Sequence, residues 1–264
     1  MVDSRGRLTV VTGGGSGIGR AIALRFARDG GTCLIAGLEK SLLEETAEVD
    51  ASCTRRFLVH EADLATDEGR ESLWCAVSEA ESQLATLVNC AGRSSRMNLF
   101  KPLAEAWRLD LETNLTAIGV LSAWALETMR RSGGGSIVNI GSVYGRLGMN
   151  DRFYREVCPV DAQEGPLRAP AYNASKGGLA ALTRELAAVG GRWNVRVNTV
   201  SPGMIKTPRP DLDEARERRF AEETPLRRMG TPEDIAEVVA FLSSDRAAFV
   251  TGVDLPVDGG WSII

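Results

Sequence analysis

Short apolar runs alternate along the chain with longer stretches that repeat apolar residues at helical spacing. The first run, 8–11, is followed by a glycine-rich turn and then by a helical pattern over 20–28. Other long helical patterns cover 102–131 and 232–243. Because strands joined through helices pair in parallel, this order predicts an α/β fold with one doubly wound parallel sheet and helices on both faces. Further strands are expected at 32–36, 56–60, 84–89, 136–140, 195–200 and 253–257, which makes about seven.

The size and charge of the chain limit the classes of function that it can have, before any motif is considered. With 264 residues, 44% of them hydrophobic, it fits a single domain over 1–264. A net charge of -4 and a pI near 5.3 argue against nucleic acid as a partner, since phosphate binding favours a basic surface. A small-molecule substrate is expected instead. No long apolar segment indicates a membrane span or a signal peptide, so the predicted location is the cytoplasm, without a membrane partner.

Cysteine and histidine are too sparse to predict a metal site. The five cysteines include no Cys-x-x-Cys pair, and His60 is the only histidine. Hydrolysis by a Ser-His-Asp triad would depend on His60 alone, and no nucleophile elbow surrounds that residue. The sequence therefore predicts reduced thiols, no metal and no serine-hydrolase chemistry.

The glycine-rich turn after the first strand is a candidate phosphate-binding site. Residues 12–19 read Thr-Gly-Gly-Gly-Ser-Gly-Ile-Gly and stand between a predicted strand and a predicted helix. Such glycines let the backbone approach a pyrophosphate, whose charge is favoured by the free amides of the helix start. Gly37 and Leu38, after the second strand, would then meet the adenosine ribose. Glu39 would repel the extra phosphate of NADP and Lys40 would attract it, and on balance NAD is favoured.

A tyrosine and a lysine one helical turn apart are the strongest candidates for chemistry. Tyr172 and Lys176 are four residues apart in a helix-forming run, so their side chains share one face. A phenol with its ordinary pKa of roughly 10 is a poor base near neutrality, and a neighbouring cation stabilises the phenolate. The pair is therefore a candidate proton-transfer unit, although an amphipathic helix can carry the same spacing by chance.

Six motifs occur in a specific order along the chain. They are Thr12-Gly13-x-x-x-Gly17-x-Gly19, Asn89-x-Ala91-Gly92, Asn114, Ser142, Tyr172-x-x-x-Lys176 and Pro202-Gly203. Each motif is common, but the ordered set is specific. Over essentially its full length the sequence resembles the classical short-chain dehydrogenase/reductase family. The resemblance implies a Rossmann-type fold and an NAD(P)-dependent oxidoreductase that acts on CH–OH groups by hydride transfer.

The resemblance also implies a role for each residue. Tyr172 would be the acid/base, Lys176 would lower the pKa of Tyr172 and bind the nicotinamide ribose, and Ser142 would orient the substrate oxygen. Asn114 would hold a water that connects Lys176 to solvent. The implied cofactor contacts, besides Tyr172 and Lys176, are Gly13, Ser16, Gly17, Ile18, Gly19, Gly37, Leu38, Asp63, Leu64, Asn89, Ala91, Gly92, Pro202, Gly203, Ile205 and Thr207. On its own, Asp63 is as readily a turn or helix-cap residue.

The chain departs from the family pattern between Ser142 and Tyr172, where the connection is unusually long. The extra segment, about 150–168, is predicted to be an insertion at the edge of the pocket, either a plain surface loop or one that sets specificity. Arginines there and in another turn at the pocket edge would favour a polar or anionic substrate. These candidate substrate contacts are Arg93, Arg96, Arg152 and Arg155. The charged stretch at about 208–225 is either a solvated helix or a lid.

Three hypotheses for the function follow. The leading one is an NAD(P)-dependent oxidoreductase that interconverts a secondary alcohol and a ketone, or a lactol and a lactone, on a sugar, polyol or sugar-acid type substrate. The second is a 3-oxoacyl thioester reductase, for which Arg130 and Arg131 are too few to establish a basic docking patch. The third is a non-catalytic dinucleotide-binding regulatory protein, which predicts an incomplete catalytic set. The resemblance also implies a homo-oligomer, with a homotetramer expected.

Overall fold

A seven-stranded parallel sheet forms the centre of the protein. The computed structural model describes residues 6–49, 56–159, 161, 163–208 and 212–264. The strands in these ranges are β1 (Arg7–Thr12), β2 (Thr32–Gly37), β3 (Phe57–Glu61), β4 (Gln83–Asn89), β5 (Met97–Asn98), β6 (Gly135–Ile140), β7 (Leu167–Arg168), β8 (Val195–Pro202) and β9 (Asp254–Val257). The large sheet has the order β3-β2-β1-β4-β6-β8-β9, while β5 and β7 pair antiparallel in a separate sheet. The predicted fold class is confirmed.

Helices cover both faces of the large sheet. They are α1 (Gly17–Arg28), α2 (Lys40–Glu48), α3 (Asp67–Glu79), α4 (Ala104–Leu111), α5 (Ala117–Arg131), α6 (Asp151–Tyr154), α7 (Pro170–Gly190), α8 (Glu214–Glu223) and α9 (Pro232–Ser243). One apolar cluster packs α1, α2 and α9 against the sheet, and another packs α3, α5 and α7 against its opposite face. None of the helices described is long and apolar enough to cross a membrane.

The central strand β1 shows why these strands read as unbroken apolar runs. Val10 and Val11 are adjacent, so their side chains point to opposite faces of the sheet. Val10 joins one apolar cluster and Val11 the other, and both are fully buried. A strand buried on both faces needs apolar residues at successive positions rather than at alternate ones. The predicted strands therefore recur in the structure with ends that differ by at most two residues.

The predicted helix over 102–131 is interrupted. It begins at Ala104 and consists of α4, a π-helical segment over Glu112–Thr116, and α5. A π segment widens the helix by one residue locally, and such segments occur often at functional sites. Here it carries Asn114, whose side chain is fully buried. Asparagine is a poor helix former, and Asn114 thus lies in the irregular part of this helix.

The predicted insertion and the charged stretch pack together beside the carboxyl edge of the sheet. The insertion contains α6 and β7, while residues 160 and 162 lie outside the described part. The charged stretch forms α8 from Glu214, with 209–211 likewise outside it. Phe153 of α6 contacts Phe220 of α8 at 6.1 Å between ring centroids and Trp261 at 4.8 Å. The two segments therefore form one aromatic wall.

Candidate active site

A cavity at the carboxyl edge of the sheet brings most of the predicted site residues together. Its volume is about 850 Å³, and its lining comes from the loops after β1, β4, β6 and β8 and from helices α1, α7 and α8. The predicted residues that line it are Gly13, Ser16, Gly17, Ile18, Gly19, Ala91, Gly92, Arg93, Arg96, Ser142, Tyr172, Lys176, Pro202, Gly203, Ile205 and Thr207. Side chains from distant parts of the sequence thus share one solvent-accessible space.

The glycine loop is held tightly between its neighbours. The Gly13 amide donates to the Ala36 carbonyl at 2.7 Å, and the Thr12 hydroxyl accepts the amides of Cys90 and Ala91 at 3.0 and 3.1 Å. These bonds tie the ends of β1, β2 and β4 to each other. A Cβ atom on Gly19 would lie 2.0 Å from the Gly13 carbonyl oxygen, so only glycine allows this turn to close.

The start of α1 fits an anionic group such as a pyrophosphate. Ser16 adopts an extended conformation, and its side chain does not cap the helix. No acidic residue stands in the first turn, and residues 16–19 all line the cavity. The first amides of a helix have no partner within the helix and attract negative charge. This part of the site therefore fits the dinucleotide that the glycine motif predicts.

The residues predicted for the adenosine end lie outside the cavity. Gly37 and Leu38 follow β2 at the same edge of the sheet, and the Leu38 side chain is 65% exposed. The Asp63 carboxylate accepts the amide of Ala65 at 2.9 Å, which is the turn geometry that its position also suggested. The Leu64 side chain is buried in the apolar core.

Asn89 is buried under the site rather than exposed to it. Its side-chain amide donates to Asn139 Oδ1 at 2.8 Å and to the Ser122 hydroxyl at 3.1 Å. The Asn139 amide in turn donates to the Thr183 hydroxyl at 2.9 Å. Asn89 thus links β4 to β6 and α5 in the structure. The small residues that follow Asn89 are the ones in a position to contact the cofactor ribose.

Tyr172 and Lys176 share the cavity face of α7, as their spacing predicts. Pro170 stands at the start of this helix, where a missing amide costs nothing. The Lys176 ammonium lies 5.8 Å from the Tyr172 ring centroid and donates to the Ile140 carbonyl at 2.6 Å. The Lys176 side chain is only 6% exposed, and this burial lowers its pKa to about 8. The pair thus places a desolvated cation beside a phenol.

Asn114 fixes the loop next to Lys176. Its Oδ1 accepts the Arg93 amide at 2.9 Å, while its Nδ2 donates to the Arg93 carbonyl at 2.8 Å and to the Ser175 hydroxyl at 3.1 Å. Between the two side chains lies Gly92, where a Cβ would be 3.3 Å from Asn114 Oδ1 and 3.6 Å from Lys176 Nζ. Asn114 does not line the cavity, but it is a close neighbour of the lysine that does.

Ser142 faces the cavity from the loop after β6. Its Oγ accepts the Tyr144 amide at 3.1 Å. The Tyr144 hydroxyl donates to the Tyr154 hydroxyl at 2.6 Å, and the Tyr154 hydroxyl contacts the Met204 sulfur at 3.5 Å. Both tyrosines line the cavity, and neither was predicted as a site residue. Their signals in the sequence were the position of Tyr144 two residues after Ser142 and the position of Tyr154 in the insertion.

The four predicted arginines divide into two pairs. Arg93 and Arg96 line the cavity, and the Arg93 guanidinium contacts the fully buried Asp110 carboxylate at 3.1 Å. Arg152 and Arg155 belong to ion pairs with Glu223 and Asp161 instead, and neither lines the cavity. The reason is geometric, since α6 turns the side chains of Phe153 and Tyr154 inward.

Arg216 of α8 is a cavity residue that the sequence did not reveal. Its side chain is 4% exposed, and its guanidinium carbon lies 5.2 Å from the Tyr154 ring centroid and 5.4 Å from that of Phe220. In the sequence it stands among acidic and basic residues that look like a solvated helix. Only its spacing of four from Phe220 hints that it faces inward.

Comparisons with known proteins agree with the geometry. A family model described as short chain dehydrogenase matches residues 7–153, and one described as enoyl-(acyl carrier protein) reductase matches residues 160–262. The NADP-dependent (R)-specific alcohol dehydrogenase of Lentilactobacillus kefiri is 33% identical, with 98% of this chain and 97% of the relative covered. The 3-oxoacyl-[acyl-carrier-protein] reductase of Pseudomonas aeruginosa is 33% identical, with 97% of each covered.

A solved structure shows the same fold at similar identity. The crystal structure of a protein from Sinorhizobium meliloti 1021, assigned to short-chain alcohol dehydrogenases, superposes with a TM-score of 0.86. It is 32% identical, and the match covers 98% of this chain and 97% of that one. The ordered motifs, the cavity and these matches together show that the chain belongs to the short-chain dehydrogenase/reductase family and is an NAD(P)-linked oxidoreductase that acts on CH–OH groups.

Proposed function

We propose that this protein interconverts a secondary alcohol and a ketone on a sugar, polyol or sugar acid, with Tyr172 as the acid/base. The observation that carries the proposal is the buried Lys176 ammonium, 5.8 Å from the Tyr172 ring centroid in the cavity that Ser142 also lines. A regulatory dinucleotide-binding protein has no need of a desolvated cation beside a phenol. Arg93 and Arg96, which line the cavity, favour a substrate with hydroxyl or carboxylate groups.

The proton transfer is assigned to three side chains. In the oxidising direction the Tyr172 oxygen, as phenolate, accepts the proton of the substrate hydroxyl, and the Lys176 charge stabilises that phenolate. The Ser142 Oγ accepts the Tyr144 amide, so its own hydroxyl hydrogen is available for the substrate oxygen. Bound nicotinamide supplies the hydride acceptor or donor. Ser16, Gly17 and Ile18 would hold its pyrophosphate, because the uncapped start of α1 lies there.

NAD is the proposed form of the cofactor. Gly37 and Leu38 offer no positive charge at the ribose end, and Glu39 would repel a second phosphate. The Lys40 ammonium lies 3.6 Å from the Glu44 carboxylate, which weakens its pull on an added phosphate. The relative from Lentilactobacillus kefiri is named as NADP-dependent. Comparing kcat/KM for NAD and NADP with one alcohol tests the proposal, and a strong preference for NADP would refute it.

The proposed setting is a homotetramer in the cytoplasm, with a small molecule as the substrate and no nucleic acid or membrane as a partner. This proposal rests on the family resemblance, which implies that subunits contact each other through the helices that flank the site. These helices are α5 and α7, and both carry apolar positions. The four described cysteines are free thiols, which agrees with a reducing compartment. Size-exclusion chromatography with light scattering tests the tetramer, and a monomeric mass for the active enzyme would reject it.

A second candidate is reduction of a 3-oxoacyl thioester. The relative from Pseudomonas aeruginosa carries that activity in its name, and the second family model is described as an acyl-carrier reductase. A panel of sugars, polyols, sugar acids and acyl thioesters, followed by NADH and NADPH absorbance, separates the two candidates. Turnover of thioesters alone would replace the sugar proposal with the thioester one.

The Tyr172→Phe variant tests the assignment of the acid/base. Removal of the hydroxyl is expected to lower kcat by about 100-fold to 10,000-fold, because general acid–base catalysis contributes that much. The dissociation constant for NADH, measured by its fluorescence, should remain unchanged because the ring and Lys176 stay in place. Normal turnover in this variant would remove Tyr172 from the mechanism.

A further inference from the structure

Asp110 is a buried carboxylate near the end of α4. Its side chain is fully buried, and no other aspartate or glutamate in the described ranges is buried to that extent. Burial of a carboxylate is unfavourable unless hydrogen bonds and an opposite charge compensate for the lost water. Both kinds of partner reach Asp110 from one short loop, which is residues 93–95 after β4.

Three hydrogen bonds join the Asp110 carboxylate to this loop. Its Oδ1 accepts the Arg93 Nε–H at 3.1 Å and the Ser95 hydroxyl at 2.7 Å, and its Oδ2 accepts the Ser95 amide at 2.9 Å. Asn114, four residues further along, accepts the Arg93 amide and donates to the Arg93 carbonyl. Asp110 and Asn114 therefore fix the loop through backbone atoms at both of its ends.

The residue before this loop packs beside the Lys176 ammonium. Gly92 directly precedes Arg93, and a Cβ added to Gly92 would lie 3.6 Å from Lys176 Nζ. The Lys176 side chain is buried, so the Gly92 backbone is part of what separates its charge from water. Because glycine has no side chain that could fill a gap, a displaced loop would admit water beside the ammonium.

Tyr172 and Cys90 are the titratable groups that face the Lys176 ammonium among the described residues. The Tyr172 ring lies 5.8 Å away on the same helix, and β6 offers the Ile140 carbonyl at 2.6 Å. Burial raises the pKa of the Cys90 thiol to about 12, so this group is uncharged near neutrality. The loop adds the guanidinium of Arg93, which the Asp110 carboxylate pairs. Water would screen the ammonium from the phenol, so its exclusion strengthens their interaction.

We propose that Asp110 is a positioning residue of the proton-transfer site, which holds loop 93–95 and Gly92 against the Lys176 ammonium and so keeps water from it. This inference deepens the proposed function, since it adds a residue that supports the pair of Lys176 and Tyr172. Asp110 does not line the cavity, and the role assigned to it needs no contact with substrate or cofactor. A well-packed apolar residue is often no less stable than a buried ion pair, so stability alone does not require a carboxylate here.

Trace acetylation tests the inference without a substrate. The chain has four lysines, so mass spectrometry after treatment with a trace of acetic anhydride resolves each of them. The exposed Lys40, Lys101 and Lys206 serve as internal references for the reagent. In the nucleotide-free wild type, acetylation of Lys176 should increase with pH around a midpoint of about 8. A midpoint at the ordinary value of 10.5 would show a solvated ammonium and would refute the inference.

Two substitutions of Asp110 separate its contacts from its charge. Asp110→Leu removes both, and the Lys176 pKa should rise by about one unit or more, because water enters beside the ammonium. The sign is informative, since loss of a negative charge alone would lower that pKa. Asp110→Asn loses the same charge, but its amide can accept the Ser95 N–H and donate to the Ser95 hydroxyl. In this variant the Lys176 pKa should stay at or below the wild-type value.

A control and a milder variant complete the series. Glu112→Gln is the matched control, because Glu112 follows α4 directly and its carboxylate accepts from Arg70 of α3 at 2.8 Å instead of from the loop. The Lys176 pKa should not rise in it. Ser95→Gly serves if Asp110→Leu does not fold, since it removes the hydroxyl contact and frees the backbone without a change of charge. The Lys176 pKa should rise there too, by less than in Asp110→Leu.

The outcomes that would overturn the inference are specific. An unchanged or lower Lys176 pKa in folded Asp110→Leu, or an unchanged one in Ser95→Gly, would show that Asp110 stabilises the end of α4 and does not shield the ammonium. A rise of equal size in Asp110→Asn would reject the role of the Ser95 contacts.

Turnover of an alcohol that the enzyme oxidises gives a second readout. In Asp110→Leu the alkaline decline of kcat/KM for NAD should move to higher pH, and kcat should fall by up to about 100-fold, since a small displacement of reacting groups has effects of that size. A fall in activity with an unmoved decline would count against the inference. Because acetylation needs no turnover, failure of the positioning role and failure of the proposed reaction, which Tyr172→Phe tests, are told apart.

Discussion

The two sides of the catalytic cavity are lined by different kinds of groups. The cofactor side consists of backbone amides and small residues, above all Gly13, Gly17 and Gly19, held by bonds between the strand ends. The substrate side consists of large side chains, and Tyr154 and Arg216 line it from segments far apart in the sequence. The glycine loop of the first side is one short segment and appears as a motif, whereas Tyr154 and Arg216 of the second side do not.

The difference teaches where the specificity of such an enzyme lies. A pyrophosphate requires close backbone approach, which a few glycines in a short segment provide for any substrate. The residues around the substrate are less constrained in sequence, because many different side chains can fill this part of the cavity and give it a charge. The two family models match residues 7–153 and 160–262, so Tyr154 lies between the matched segments. Tyr154 of α6 and Arg216 of α8 meet in this wall, with 5.2 Å between the guanidinium carbon and the ring centroid.

Gly19→Ala should disrupt the cofactor side and give the largest effect on cofactor binding. The added Cβ would lie 2.0 Å from the Gly13 carbonyl oxygen, so the turn cannot close without a backbone shift. Overpacking costs about 1–3 kcal/mol, and a displaced turn also loses contacts with the bound dinucleotide. The dissociation constant for NADH should therefore rise by at least about tenfold, and up to about 100-fold. Turnover of every substrate should fall by the same factor, because all substrates use the same cofactor side.

Gly191→Ala is the matched control for that substitution. Gly191 stands at the end of α7 with φ -54°, and nothing lies within 4 Å of a Cβ added there. NADH binding should match that of the wild type, and the melting temperature should not fall. An unchanged dissociation constant in Gly19→Ala would show that the glycine loop does not position the cofactor.

The same division explains what the sequence could predict. Local patterns sufficed for the strands, for α9 at Pro232–Ser243 and for the Tyr172–Lys176 face, because each depends on residues within a turn or two. They failed for β5 and β7, which are two residues long and pair with each other across about seventy residues of sequence. They also failed for Arg216, whose burial depends on Tyr154 from another segment. The π-helical segment around Asn114 was not predicted either, because one extra residue in a turn hardly changes the spacing of the apolar residues.

Lys176 stands where the two sides meet, and its titration should appear in the pH profile. Burial lowers its pKa to about 8, so the ammonium is charged below that pH and neutral above it. Loss of the charge removes the stabilisation of the Tyr172 phenolate. For alcohol oxidation, kcat/KM for NAD should therefore fall as the pH rises through about 8 and approach a tenfold loss per pH unit. This parameter reports the enzyme before the cofactor binds.

Lys176→Arg identifies the group behind that alkaline limb. Arginine stays charged in proteins, so the variant should show no decline between about pH 7 and 10, whatever its absolute activity. Wild-type activity that climbs without a maximum to pH 10 would show that a charged Lys176 is not needed. A limb that persists unchanged in Lys176→Arg would point to another titrating group.

The smallest effect is expected from the hydroxyl pair that joins the insertion to Ser142. Tyr144 and Tyr154 share one hydrogen bond of 2.6 Å, so Tyr144→Phe and Tyr154→Phe break the same contact. Each should lower the free energy of unfolding by about 1 kcal/mol and raise substrate KM by a few-fold, while the NADH dissociation constant stays the same. The double variant should lose little more than either single one, because both substitutions remove the same hydrogen bond. Strictly additive losses in urea unfolding would mean that the two hydroxyls act separately, and weaker NADH binding would mean that the two sides of the cavity are not independent.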